Sequence, residues 1–257
     1  MQNVAIVTLV VILGLIGWLS LKDARDYQEF KNAQDEDSRL AFYRRWTIYP
    51  MLLFGFGGAA LLAWLGRTDA LTGLPSEFAA AAARFSSAQE PAAAATSETM
   101  LGMALGMTLG LVVTFYIWRA RLRAARRPIG DIEALLPRTR REVLAAIPLS
   151  INAGISEEIF FRAALPMLAF VATGSVPLSF AISIVSFGIA HWYQGFKGVL
   201  ATTAMGALFA YLYLSSGSLL KPILIHILID LVALAIRPAW SIRMNRKLVS
   251  SQKEVAL

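Results

Sequence analysis

Long apolar runs, separated by short polar and basic segments, dominate the pattern along the chain. One run extends from Val4 to Leu19 and another from Met100 to Trp118. An apolar run of about 18 residues or more can cross a bilayer as a helix, and a continuous run of this kind indicates a helix. The pattern therefore predicts an all-α, polytopic transmembrane helix bundle with about seven to eight membrane helices.

Seven candidate spans account for these runs, and an eighth, short helix is compatible with the pattern. The fourth span contains Pro148 and Pro166, so we expect it to kink or break there. The first span is preceded by no Lys or Arg, and we expect it to be retained as a membrane helix rather than cleaved as a signal peptide. The spans cover roughly residues 3–21, 46–66, 100–118, 143–170, 176–191, 198–214 and 219–236.

Composition supports a membrane location and narrows the chemistry. Hydrophobic residues make up 57% of the chain, whereas soluble domains contain about 45–50%. The chain has no cysteine, which excludes disulfides, thiolate catalysis and Cys-based metal sites. The net charge of +7 comes from basic residues that flank the apolar runs, so we expect contact with anionic lipid and no nucleic-acid partner.

Lys and Arg in the short loops predict the orientation of the spans. The basic segments follow span one, span three and span seven, whereas the loop after span two holds only Arg67 and Arg84. With seven spans, all the strongly basic segments lie on one side. We therefore expect a multi-pass protein of the cell (inner) membrane, with its N-terminus outside and its C-terminal tail in the cytoplasm. The Arg119–Arg127 segment is interpreted as a topology signal that binds anionic headgroups.

Ionisable side chains interrupt three of the apolar spans. Each would cost about 2.5–3.5 kcal/mol at the centre of a lipid-facing helix, so we expect them to face one another or a water-filled cavity. A second feature, the small-residue stripe of Gly102, Gly106 and Gly110, indicates close helix packing. The interrupting residues are Glu157, Glu158 and Arg162 in span four, His191 in span five, and His226 and Asp230 in span seven.

The spacing of these residues supports one shared cavity. Glu158 and Arg162 are four residues apart and share a helix face, whereas Glu157 is displaced around the helix, so one glutamate can pair with Arg162 while the other stays available for chemistry. The same four-residue spacing separates His226 from Asp230. It also separates Phe187 from His191, which places an aromatic ring one turn from the imidazole. Carboxylates and imidazoles are the groups that activate water by general base catalysis, and an imidazole can stabilise an oxyanion.

The three motifs, in this order on three membrane helices, resemble those of the CPBP family. This family comprises the CAAX proteases and bacteriocin-processing enzymes and is also called ABI. The motifs are Glu157-Glu158-x-x-x-Arg162, Phe187-x-x-x-His191 and His226-x-x-x-Asp230. The resemblance covers roughly residues 143–236 and implies an intramembrane glutamic endopeptidase without a required cofactor.

The resemblance also implies a role for each residue. Glu157 would be the general base, and His191 would help to hold and activate the water. His226 and Asp230 would stabilise the oxyanion, and Glu158 and Arg162 would orient the site. The family's third motif often ends in Asn, whereas an ionised Asp230 cannot donate a hydrogen bond. We expect Asp230 instead to accept a hydrogen bond from His226 and fix its tautomer.

This interpretation divides the chain into three parts and leaves several alternatives open. Residues 1–142 would hold N-terminal membrane helices and a basic cytoplasmic loop, 143–236 the catalytic membrane core, and 237–257 a basic cytoplasmic tail. A membrane-associated protein or peptide would be the substrate, and the oligomeric state stays open. The alternatives are a metalloprotease with Zn²⁺ bound by Glu157, His191 and His226, a proton-coupled transporter, and a non-catalytic scaffold or immunity protein.

Overall fold

The computed structural model describes residues 1–86 and 131–244, and this part of the chain folds into helices and turns without a strand. The third predicted span, its Gly102, Gly106 and Gly110 stripe, and the Arg119–Arg127 segment lie outside the described residues. The helices are α1 Gln2–Asn32, α2 Glu36–Trp64, α3 Ala79–Ser86, α4 (the consecutive segments Arg140–Glu158, Ile159–Ala164 and Leu165–Thr173), α5 Val176–Ala190, α6 Gly195–Ser216 and α7 Leu220–Met244.

Four of these helices, α1, α2, α7 and the segment Trp192–Ser216 that contains α6, are long and apolar enough to cross a membrane. The α5 helix is apolar but shorter, and α4 is long but carries Glu157, Glu158 and Arg162 within its apolar stretch. The all-α character is thus confirmed for the described residues. The count of seven to eight membrane helices is not confirmed, because four helices meet the criteria of length and apolarity there.

Two helices extend beyond the spans predicted from hydropathy. The α1 helix continues to Asn32 instead of ending near residue 21, and α2 begins at Glu36 instead of near residue 46. Hydropathy marks only the apolar part of a helix, whereas charged residues with good helix propensity extend it past the bilayer. The carboxylate of Asp35 accepts the Ser38 amide at 2.7 Å and so caps α2. This hydrogen bond lowers the pKa of the Asp35 side chain.

The α4 helix lies at the centre of the bundle and contacts α1, α2, α5 and α7. Its C-terminal part is almost entirely buried, and the segment 163–169 has little or no exposed surface. The outer faces of α1 and α7 instead expose large apolar side chains, as at Val7, Trp18 and Leu224. An apolar exterior of this kind suits lipid rather than water as the surrounding solvent.

Within residues 1–86 and 131–244, three π-helical turns interrupt the long helices, and each lies close to a proline. Met51–Phe56 follows Pro50, Ile159–Ala164 precedes Pro166, and Val232–Ile236 precedes Pro238. Proline lacks the amide hydrogen that a regular α-helix needs, so the neighbouring turn loosens. The predicted break at Pro166 is therefore a π turn within a continuous helix. The hydroxyl of Ser183 on α5 donates a hydrogen bond to the Phe161 carbonyl in this turn.

A second buried ion pair, not anticipated from the sequence, joins α2 to the start of α4. The Arg39 guanidinium lies 2.9 Å from the Glu142 carboxylate and donates to the Ala134 and Leu136 carbonyls at 3.0 and 3.2 Å. The Arg39 guanidinium also lies 4.5 Å from the centroid of the Phe30 ring. These contacts fix the segment before α4 against α2, so the direction in which α4 enters the bundle is set at its first turn.

Gly154 sets the distance between α4 and α7. A Cβ atom at this position would lie 2.9 Å from the Ile227 nitrogen and 3.3 Å from the Ile223 carbonyl oxygen. We expect Gly154→Ala to push α7 outward and to cost about 1–3 kcal/mol of stability, as overpacked sites do. Thermal unfolding of the purified protein measures this loss. Gly17→Ala is the matched control because a Cβ at Gly17 meets no atom within 4 Å, and unchanged stability in Gly154→Ala would contradict the packing.

Candidate active site

Three helices bring the motif residues together inside the bundle. Glu157, Glu158 and Arg162 lie at and just after the junction between the α-helical and π-helical parts of α4. His191 directly follows the last residue of α5, and His226 and Asp230 lie one turn apart on α7. The close approach of α7 at Gly154, one turn before Glu158, places His226 against α4.

Glu157 and His191 face each other across a short gap. The Glu157 Oε2 atom lies 3.9 Å from His191 Nε2, and this carboxylate oxygen has no hydrogen-bond partner among the described residues. His191 Nδ1 lies 2.8 Å from the Phe187 carbonyl oxygen. Because a carbonyl can only accept, Nδ1 carries the proton and Nε2 of the neutral ring has a free lone pair. Two hydrogen-bond acceptors therefore point at the same small space.

Glu158 lies between Arg162 and His226 and contacts both side chains. Its Oε2 atom lies 2.9 Å from Arg162 Nε, and its Oε1 atom lies 2.8 Å from His226 Nδ1. Glu158 and Arg162 have no exposed side-chain surface. A buried carboxylate and guanidinium are tolerated only when they are paired, so the pair and the histidine form one structural unit.

Aromatic rings enclose this unit. The Arg162 guanidinium lies 4.7 Å from the centroid of the Phe187 ring and 5.6 Å from that of Phe209. Phe209, on α6, stacks on the His226 imidazole with ring centroids 4.8 Å apart and an interplanar angle of 16°. The sequence did not single out Phe209, because an aromatic residue in an apolar helix carries no signal of a site. Phe187 lies 4.8 Å from the His191 ring, as its spacing predicts.

Asp230 takes a different position from the one expected. Its Oδ2 atom lies 3.8 Å from His226 Nε2, which is beyond hydrogen-bonding distance. The acceptor that fixes the His226 tautomer is Glu158, through Nδ1, rather than Asp230. The close α4–α7 crossing brings the Glu158 carboxylate to Nδ1, whereas Asp230 lies on the side of the other ring nitrogen, Nε2.

Solvent access falls steadily across the cluster. The exposed side-chain fraction is 27% for Asp230, 15% for His191, 12% for Glu157 and zero for Glu158. Glu157 and His191 thus keep a little exposed surface, although the Glu157 Oε2 atom that faces His191 is itself buried, and the Glu158–Arg162 pair is fully buried. Tyr193 lies two residues after His191. The centroid of its ring is 5.9 Å from that of the His191 ring and 4.8 Å from that of the Trp46 ring.

A metal site needs several ligand side chains that converge on one point. Within residues 1–86 and 131–244, no group of three His, Asp or Glu side chains is placed so that it could hold a metal ion. Glu158 engages Nδ1 of His226, and the Nε2 atom of that ring has no carboxylate of the described residues at hydrogen-bonding distance. A zinc site usually has three or four protein ligands, so the zinc alternative considered from the sequence is left to a chelation experiment.

A protein-family model described as type II CAAX prenyl endopeptidase Rce1-like matches residues 139–232. The match begins at the capping residue of α4 and includes all seven motif residues, from Glu157 to Asp230. Neither the curated proteins nor the solved structures include a significant match to the chain. The family and the apolar helices together indicate an integral membrane endopeptidase of the CAAX-protease type. Residues 139–232 therefore match the type II CAAX prenyl endopeptidase Rce1-like family, and the CAAX-protease resemblance expected from the motifs is confirmed for this part of the chain.

Proposed function

We propose that the chain is an intramembrane endopeptidase that hydrolyses a peptide bond of a membrane-associated protein or peptide with a water activated by Glu157 and His191. The observation that carries this proposal is the 3.9 Å gap between Glu157 Oε2 and His191 Nε2. Both atoms accept hydrogen bonds, so neither can bond the other directly when the ring is neutral. A water molecule has two O–H donors and satisfies both acceptors at once.

The proposed reaction follows from this pairing. Glu157 takes a proton from the held water as its oxygen forms a bond to the carbonyl carbon of the substrate. The resulting Glu157 carboxylic acid then passes that proton to the amide nitrogen as the C–N bond breaks. A carboxylic acid product and an amine product result, and Glu157 returns to its starting state, so atoms and protons balance.

His226 is the proposed stabiliser of the oxyanion. Its Nδ1 donates to Glu158, so it can donate from Nε2 when the ring carries a second proton. The Asp230 carboxylate, 3.8 Å from Nε2, compensates the positive charge of such a ring. Arg162 and Glu158 act as positioning residues, because the sealed ion pair holds the imidazole in its orientation.

Asp230→Asn tests the electrostatic role of this carboxylate. Two unit charges about 4 Å apart interact by about 4 kcal/mol at an effective dielectric constant near 20, and the partial solvent access of Asp230 reduces that value. We expect the substitution to lower kcat by about tenfold with little change in KM, measured on a peptide substrate in detergent. Activity preserved or raised would show that the negative charge is not required.

The substrate and the orientation are parts of the proposal. We propose a protein of the cell (inner) membrane with its C-terminal tail in the cytoplasm, and a reporter fused at Leu257 that is active only outside the cytoplasm would refute this topology. Comparing the membrane peptides of cells that carry the wild type or Glu157→Ala tests the protease function. Cleaved membrane peptides unique to the wild type support it. A phenotype unchanged in Glu157→Ala would instead favour the scaffold alternative.

Metal dependence separates the glutamate mechanism from the zinc alternative. Because no group of three His, Asp or Glu side chains among the described residues is placed to hold a metal ion, we expect the purified protease to keep its activity after thorough chelation. The measurement is the cleavage rate before and after dialysis against a strong chelator, with metal analysis of the same sample. A loss of activity that stoichiometric Zn²⁺ restores would overturn the glutamate mechanism.

A further inference from the structure

The α6 helix carries none of the three motifs, yet it packs closely against α5 and also contacts α7. A Cβ atom at Gly188 on α5 would overlap the Thr203 hydroxyl and lie 3.2 Å from the Val199 carbonyl oxygen. One turn further along α6, a Cβ atom at Gly206 would lie 3.1 Å from the Phe187 ring. These two close approaches fix the position of the next turn of α6 relative to the active site.

Phe209 lies on that next turn, on the same face of α6 as Gly206, and its ring covers one face of the His226 imidazole. The two rings are nearly parallel, with an interplanar angle of 16° and centroids 4.8 Å apart. Phe187 meets the same imidazole edge-on, at 84° and 6.2 Å. Phe209 is 1% exposed, so its own surroundings hold the ring in place. Offset stacking is a favoured arrangement of two aromatic rings at this separation.

The polar contacts of His226 leave one motion of its ring unrestrained. Glu158 Oε1 lies 2.8 Å from Nδ1, whereas Asp230 Oδ2 lies 3.8 Å from Nε2, beyond hydrogen-bonding distance. One hydrogen bond at Nδ1 fixes the position of that nitrogen but lets the ring tilt, and a tilt moves Nε2. The flat face of Phe209 opposes this tilt, because a tilted imidazole would lose the stack or collide with the phenyl ring.

We propose that Phe209 is a positioning residue that holds the His226 ring in the plane from which Nε2 donates to the oxyanion. This role rests on the proposed function of His226 and is exerted only through that ring. The oxyanion forms only as the water attacks the carbonyl, so a tilted ring lowers the rate rather than the affinity for the substrate. We expect Phe209→Leu to lower kcat by about tenfold and to leave KM within about twofold.

Phe180→Leu is the matched control for the loss of a buried ring. Phe180 lies on α5, is 6% exposed, and has Phe78 and Tyr213 as its ring neighbours. Both variants remove the same atoms from the same apolar core, so we expect similar falls in the thermal unfolding temperature. The kcat of Phe180→Leu should stay within about twofold of the wild type, because its ring does not stack on His226.

Nuclear magnetic resonance of the purified full-length protein in detergent measures the orientation of His226 without any substrate. The chain contains two histidines, so a spectrum of His191→Gln assigns the ring protons of His226. We expect a nuclear Overhauser contact between the His226 and Phe209 rings, and an upfield shift of the His226 protons that lie over the phenyl face. Phe209→Leu should move these resonances downfield, whereas Phe180→Leu should leave them in place.

The possible failures are distinguishable. A wild-type protein without a contact between the two rings would overturn the proposal, and this measurement stands even if Phe209→Leu does not fold. A kcat of Phe209→Leu no lower than that of Phe180→Leu would also overturn the positioning role, while leaving Glu157 as the base. A wild-type cleavage rate in Glu157→Gln would instead refute the proposed function itself.

Discussion

Replacing Glu157 with glutamine is expected to lower kcat by about 10²–10⁴-fold, the usual contribution of a general base. The amide keeps the shape of the side chain, but it cannot take a proton from water. Glu157 makes no ion pair with Arg162, which pairs with Glu158, so the substitution leaves the buried charges of the bundle compensated. We therefore expect the thermal unfolding temperature to stay close to that of the wild type.

The measurement is the single-turnover cleavage rate of a peptide substrate by purified protein, together with its unfolding temperature. Glu133→Gln is the matched control, since it removes an exposed carboxylate in the segment that precedes α4. Glu133→Gln should retain wild-type activity. If Glu157→Gln retained more than about a tenth of the wild-type rate, Glu157 would not be the base.

Replacing Glu158 with glutamine is expected to destabilise the protein by about 3–5 kcal/mol, the usual cost of breaking a buried ion pair from one side. The reason is that Arg162 keeps its charge in a site with no exposed surface, and an arginine cannot deprotonate there. His226 would also lose the carboxylate that accepts from its Nδ1. Both stability and activity should therefore fall.

A double variant distinguishes this explanation from a general packing defect. Glu158→Gln combined with Arg162→Met removes both charges, so we expect it to regain most of the lost stability. It should stay inactive, because the neutral amide at position 158 no longer compensates a second proton on the His226 ring. Arg141→Gln serves as the control, since it breaks the exposed Arg141–Glu36 pair and should cost at most about 1 kcal/mol. If the double variant lost as much stability as the two single variants together, the buried ion pair would not explain the loss.

The sequence predicted the clustering of the ionisable residues better than the lengths of the helices. Ionisable residues are costly in lipid, so Glu157, Glu158, Arg162 and the two histidines stood out against an apolar background, and four-residue spacing assigned shared faces. The pairing of Glu158 with Arg162 follows from that spacing alone. The pairing of Glu158 with His226 depends on how closely two helices approach, which helical periodicity does not contain.

Other features were not predicted, because the residues that form them are of types common in apolar helices. Phe209 is one aromatic among many apolar residues of α6, and its contact with His226 appears only in three dimensions. Gly154 has no special backbone conformation, and its role becomes visible through the proximity of Ile227. The ends of α1 and α2 were misplaced because hydropathy follows the bilayer, while helix propensity extends the helices past it.

The most direct test of the central claim is an experimental structure of the protein at a resolution that shows ordered water. The proposed mechanism predicts one water within hydrogen-bonding distance of both Glu157 Oε2 and His191 Nε2, about 2.6–3.2 Å from each. It also predicts that the His191 ring stays bonded to the Phe187 carbonyl, with Nε2 directed at that water. Glu157 turned toward the lipid, or the two side chains too far apart to share one water, would contradict the mechanism.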